Sequence, residues 1–171
     1  ALYRRDTNGA FAAAPSGQTG ATAPELSGIT AMAEIAAGGA RVLLAADAAT
    51  DELIAYRIAP SDGGLTLTDT AGATDGLGVA DPTALGTVTA HGASWAILGA
   101  AGSGSLSVLR LNHAGQLDPT DHVLDTLETR FGGVQDVAAF KVGGQAFVVA
   151  GGADDGLSLF ALPADGRLVH L

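Results

Sequence analysis

Short apolar runs separated by glycine-containing turns recur three times along this chain, and that recurrence sets the expected architecture. The leucine that follows a polar loop falls at Leu53, Leu106 and Leu157, so successive copies lie 53 and 51 residues apart. Gly39, Gly92 and Gly144 keep the same register, each followed by a bulky apolar residue, Val42, Trp95 or Phe147. Tyr56, Leu109 and Phe160 come next, then Ile58, Leu111 and Leu162, and a turn ends in Gly64, Gly115 or Gly166 before a closing Leu65, Leu117 or Leu168. A period in this range, built of short apolar runs and glycine turns, marks a propeller blade. Helical solenoids repeat at shorter intervals and lack strand alternation.

Each copy divides into strand-like pieces. The first is expected at Ile29 to Ile35, Thr83 to Thr89 and Val134 to Phe140. The second is the most apolar, Val42 to Ala45, Trp95 to Leu98 and Phe147 to Ala150, and such continuous runs read as inner strands buried on both faces. The third alternates, as in Leu157-Ser158-Leu159-Phe160-Ala161-Leu162, and Asp165-Gly166 then turns the chain into a more polar fourth strand. Asp-Gly between alternating runs is a hairpin signal because glycine accepts positive φ. The expected fold is therefore all-β, a segment of about three four-stranded antiparallel blades forming an incomplete ring.

The expected divisions are 1–27, the last strands of a preceding blade plus a connection; 28–81, a blade; 82–133, a blade; and 134–171, a blade cut short at its outer strand. Residues 2–11 align without a gap onto Leu159 to Leu168, with Asn8-Gly9 standing where Asp165-Gly166 stands. Propellers typically carry about four to eight blades. Three cannot close a ring, so the expected partners are further blades of the same parent chain or another copy of the chain.

Composition narrows the partners. The net charge is −10 and Lys141 is the only lysine, so phosphate backbones and anionic membranes are repelled and cations are the better guess. Cysteine is absent, which removes disulfides and thiolate metal sites. No stretch approaches the roughly 18 apolar residues that a membrane helix needs. Hydrophobic residues make up 47% of the chain, enough for a sizeable core.

The segments Leu43 to Thr70, LLAADAATDELIAYRIAPSDGGLTLTDT, and Val148 to Leu171, VVAGGADDGLSLFALPADGRLVHL, resemble the blade repeat of lactonase-type seven-bladed propellers. GGADDGLSLF with DGRLVHL is similar to propeller-like regions of hemolysin-type (RTX) calcium-binding proteins of marine alphaproteobacteria. That second resemblance implies a large, acidic, secreted protein whose calcium-binding nonapeptides, GGxGxDxUx, lie elsewhere. Gly151 to Gly156 begins like such a nonapeptide but lacks its glycine spacing and has no tandem copy.

The chemical candidates are few. Asp154 and Asp155 are the candidate metal residues, aligned with Asp51-Glu52 and Gly104-Ser105; loop carboxylates suit a hard cation, yet a site needs roughly six oxygen ligands. No cofactor is required and calcium is the possible one. Asp118, Asp121, His122 and Asp125 cluster with His113 nearby, although strand alternation puts Asp121 and His122 on opposite faces. His91 and His170 are isolated, and Trp95 aligns with core positions. Gly102 to Ser105 matches neither a phosphate loop nor a nucleophile elbow. Arg57 and Arg110 share a register position and could meet carboxylates. Glu34 and Asp136 are the only acids on the first strands, at unequal positions. The leading expectation is a non-catalytic scaffold or binding segment of a secreted protein, and the alternative is a lactonase-type hydrolase acting on a sugar lactone.

Overall fold

The computed structural model describes residues 27–171 together with Thr7. The division expected over residues 1–27, including the match of 2–11 to the third strand, therefore lies almost wholly outside the described residues. Three antiparallel sheets of four strands follow one another along the chain, each in the order in which its strands occur. The first holds β1 (Ile29–Ala37), β2 (Ala40–Asp47), β3 (Glu52–Ile58) and β4 (Leu65–Ala71). The second holds β5 (Pro82–Ala90), β6 (Ala93–Ala100), β7 (Ser105–Leu111) and β8 (Leu117–Leu124). The third holds β9 (Asp136–Val142), β10 (Gln145–Gly151), β11 (Leu157–Leu162) and the two-residue β12 (Val169–His170). A 3-10 turn, Ala73–Asp75, lies in the connection between β4 and β5. These are blades of a β-propeller, and the described three pack side by side, β5 lying against both β1 and β9.

The tight turns explain the glycines and three non-glycines, Asp51, His91 and Asp155, that share their geometry. Between the first and second strands of each blade stand Gly38-Gly39, His91-Gly92 and Gly143-Gly144, all at positive φ, the two-residue hairpin in which both central positions are left-handed. Before the third strands the left-handed residue is Asp51, Gly104 or Asp155, with φ of 56°, 57° and 55°. This corrects the alignment read from residue types: Asp155, not the Asp154-Asp155 pair, is the equivalent of Asp51 and Gly104. Each of the three stands two residues before its leucine; matching the acidic pair Asp154-Asp155 to Asp51-Glu52 shifts the third copy by one residue.

Among the described residues there are two cores, one per inter-blade gap. The first joins Ile35, Val42, Leu44, Leu53 and Ala55 to Ala96, Leu98, Leu109 and Leu111. The second joins Val88, Trp95, Ile97, Leu106 and Val108 to Val134, Val137, Val148, Phe160 and Leu162. Alternation along each strand sends one set of side chains to the preceding blade and the other to the next. The continuous apolar run of β6, between two described blades, is accordingly buried on both faces, and that of β2 is buried except for the half-buried Leu43. β10 departs from that expectation: Ala146, Val148 and Ala150 are buried, whereas Phe147 and Val149 are only half-buried. The reason is position in the stack, because no described element covers that side of the third sheet.

Strand starts differ slightly from the reading of residue types. β9 begins at Asp136, two residues later than expected, because Val134 lies in the lead-in and fills the second core instead.

Candidate functional site

Irregularities in the ladders place the polar side chains. The pairing of β1 with β2 slips at Thr30, and that of β5 with β6 slips at Thr83. A bulge re-aims the extra residue, and here it turns each hydroxyl toward the neighbouring blade. Thr30 donates to the Pro82 carbonyl at 2.6 Å, and Thr83 donates to the Val134 carbonyl at 2.5 Å. A second pair of slips leaves Thr68 in β4 and Thr120 in β8 without ladder partners. Their hydroxyls reach the Gly115 carbonyl at 2.8 Å and the Gly166 carbonyl at 3.1 Å. Beside them, Asp69 accepts the Leu117 N–H at 2.9 Å and Asp121 accepts the Leu168 N–H at 2.7 Å. The outer strand of one blade thus grips the last hairpin turn of the next, and the same grip is built twice.

Most remaining candidates are engaged in comparable work. His91 Nε2 lies 3.1 Å from the Leu162 carbonyl, joining the second blade to the third. Arg57 donates to the Ala114 carbonyl at 3.0 Å across the first gap, while Arg110 pairs with Asp118 at 3.0 Å on its own sheet, so the two arginines in register do different things. Glu34 pairs with Arg41, whose hydrogen bond holds the Glu34 carboxyl below the usual carboxylate range. Trp95 is 1% exposed in the second core and donates to the Ala90 carbonyl at 3.2 Å. His170 stacks at a tilt on Phe160, ring centres 5.2 Å apart. Gly102 to Ser105 carries a turn into β7, where Ser103 accepts the Ala80 N–H at 3.2 Å. His113 contributes its carbonyl to Arg57 and meets Gly38 across the first gap.

The acids around His122 do not converge on it, and Asp121 and His122 lie on opposite faces as strand alternation requires. Asp121 faces the third blade, whereas His122 Nδ1 lies 2.8 Å from Ser107 Oγ on the side of the first core. That serine–histidine contact was not foreseen, since Ser107 and His122 are 15 residues apart and meet only through strand pairing. Ser107 is fully buried, which closes it to a substrate. Asp125 turns away to cap the Thr126–Phe131 loop, accepting from Thr129 Oγ1 at 2.7 Å and from the Phe131 N–H at 3.2 Å.

Asp154 and Asp125 approach one another around Gly132: a Cβ placed there would lie 3.5 Å from Asp154 Oδ2 and 3.1 Å from Asp125 Oδ2. Asp154 Oδ1 is buried without a hydrogen-bond partner, and Asp155 is exposed. Among the described residues no three of His, Cys, Asp or Glu are grouped so as to hold a metal ion. On the first blade, Asp47 is fully buried with Oδ2 unpartnered, and Tyr56 is 3% exposed with an unpartnered hydroxyl. Burial, and then the nearby Asp47 carboxylate, push the Tyr56 phenol above its ordinary value.

The third sheet carries a cavity of about 280 Å³ on its uncovered side, lined by Gln135, Asp136, Ala138, Val149, Gly151 and Leu157, among others. Phe140, Val142, Leu157, Leu159 and Val169 are exposed around it.

No protein-family model matches this chain, and neither does any curated protein. Solved structures do match. A protein from Lactobacillus plantarum aligns with a TM-score of 0.60 at 18% identity, over 99% of this chain and 49% of that one. An exo-β-1,3-galactanase from Phanerochaete chrysosporium, solved with β-1,3-galactotriose, aligns with a TM-score of 0.58 at 9% identity, over 82% of this chain and 34% of the galactanase. Likeness at these identities is likeness of fold. The chain spans about half of the first structure and about a third of the second.

Proposed function

We propose that the chain is a non-catalytic propeller segment, a scaffold or binding region whose polar side chains serve contact between blades. One observation carries this reading: the two gaps repeat the same bonds from equivalent residues, Thr30 with Thr83, Thr68 with Thr120, and Asp69 with Asp121. A reacting centre draws unlike groups together at one place. Here like groups are distributed at the repeat interval, each already holding a backbone partner. The competing reading, hydrolysis of a sugar lactone, is tested on the purified chain. Turnover equal to the buffer blank is expected, and turnover above it would overturn the proposal.

The finer placement, in a large secreted protein of the hemolysin-type calcium-binding group, is supported by the resemblance of GGADDGLSLF and DGRLVHL. Calcium binding through Asp154 and Asp155 is a separate reading, resting on loop carboxylates and not on that resemblance. Asp154 and Asp125 together supply two carboxylates of the roughly six oxygen ligands such an ion takes. Calorimetric titration with calcium, set beside the variant Asp154→Asn, checks it: heat lost in the variant supports the assignment, and the absence of heat in both removes it.

A further inference from the structure

The two filled gaps say what the uncovered side of the third sheet is shaped to receive. Leu53 and Leu106 are both 0% exposed, and their equivalent Leu157 is 72% exposed. Ala55 and Val108 are 0% exposed against 38% for Leu159, and Ile35 and Val88 are 6% and 8% exposed against 39% for Phe140. The same register positions are thus dry where a blade follows and wet where no described blade does.

The cavity has a counterpart that is occupied. Gly151 stands where Gly99 stands in the second sheet, and Ala138 where Gly86 stands. A Cβ on Gly99 would lie 2.6 Å from Val134 Cγ1 and 3.0 Å from Val137 Cγ2, and one on Gly86 would lie 3.1 Å from Val137 Cγ1. Two valines at the start of the third blade therefore sit in the hollow that these glycines leave. At Gly151 the atoms within contact distance belong to Leu157 and Gly156 of its own blade. Gln135 occupies the register position from which Thr30 and Thr83 donate to the next blade's lead-in carbonyl.

We propose that this face is a docking site for one occupant, a further four-stranded blade of this same repeat. Its lead-in presents a carbonyl to the Gln135 amide, and two aliphatic side chains, placed like Val134 and Val137, enter the hollow at Gly151. The surface continues an interface already built twice in the chain, which is what selects a blade over an unrelated partner. The inference rests on the scaffold reading and names its partner.

The chain lacks cysteine, so Leu157→Cys introduces a unique thiol on this face. A blade is supplied by repeating residues 121–171 after Leu171, which continues the register because Leu171 stands where Thr120 does. Labelling of the thiol by a disulfide reagent is expected to slow at least about tenfold when the blade is added, as a locally opening site replaces a free one. Adding Gly151→Val, which fills the hollow, is expected to restore the fast rate. Unchanged labelling in the extended chain, whether or not the added copy folds, would overturn the proposal. So would concentration-dependent protection in the unextended chain with a dimeric mass, which would make a second copy the occupant. Lactone turnover would overturn the scaffold reading while leaving these rates as they are, so the two failures can be told apart.

Discussion

The repeat supplies three leucines at one register position in three different surroundings, and truncating each to alanine measures what a neighbouring blade contributes. Leu53 belongs to the first core and Leu106 to the second, both without exposed surface. Removing a buried leucine side chain costs about 2–5 kcal/mol, the transfer of its methyl groups plus the cavity left behind. Leu157 keeps 72% of its surface in water, so Leu157→Ala forfeits under about 1 kcal/mol at 25 cal/mol per Å² of apolar area. Urea denaturation followed by fluorescence is suited to the comparison, because Trp95 is the single tryptophan and lies in the same core as Leu106. Leu106→Ala is expected to move the midpoint strongly, and Leu53→Ala should do so by circular dichroism even if the tryptophan transition lags in a stacked array. A loss at Leu157 as large as that at Leu106 would refute the argument that stacking, and not the strand's own sheet, buries this position.

Three other expectations follow from particular contacts. Gly166 has φ of 79°, and a Cβ there would lie 2.5 Å from both Thr120 Oγ1 and Trp95 Cζ3, so Gly166→Ala should cost about 2–4 kcal/mol in the same denaturation assay. Asp121→Ala strands the Leu168 N–H and should cost about 1–2 kcal/mol, whereas Asp121→Asn, which still offers an oxygen, should stay within about 0.5 kcal/mol. Tyr56 has a raised phenol pKa, so its contribution is intact below the ordinary value near 10 and is lost as pH rises above that toward the folded value. Thermal melts at about pH 9 and 11 should therefore show a steeper loss in the parent than in Tyr56→Phe, which also removes a buried hydroxyl that has no partner.

Much of this was legible in the order of residues. Glycines at the hairpin turns, apolar runs at β2 and β6, and the leucine interval are local signals, and each requires only that a strand alternate and a tight turn accept positive φ. The left-handed Asp51, His91 and Asp155 hid one such signal, since their side chains suggest chemistry while their backbones mark a turn. The partners of the polar residues were not legible at all. Ser107 meets His122 through pairing, and Asp121 meets Leu168 across a gap 47 residues long in sequence.

What the chain's own sequence determined is the blade: its strands, its turns and the interval between copies, because hydrogen bonding within a hairpin depends on neighbours a few residues away. Which face of each blade is dry, and which threonine or aspartate holds the next, was decided only in the tertiary structure. A ladder slip of one residue turns a hydroxyl from one side of a sheet to the other, and nothing in the residue types at Thr30, Thr68, Thr83 or Thr120 announces the slip. Leu53, Leu106 and Leu157 read identically, yet one stands in water and two do not, since burial belongs to the pair of sheets and not to the strand.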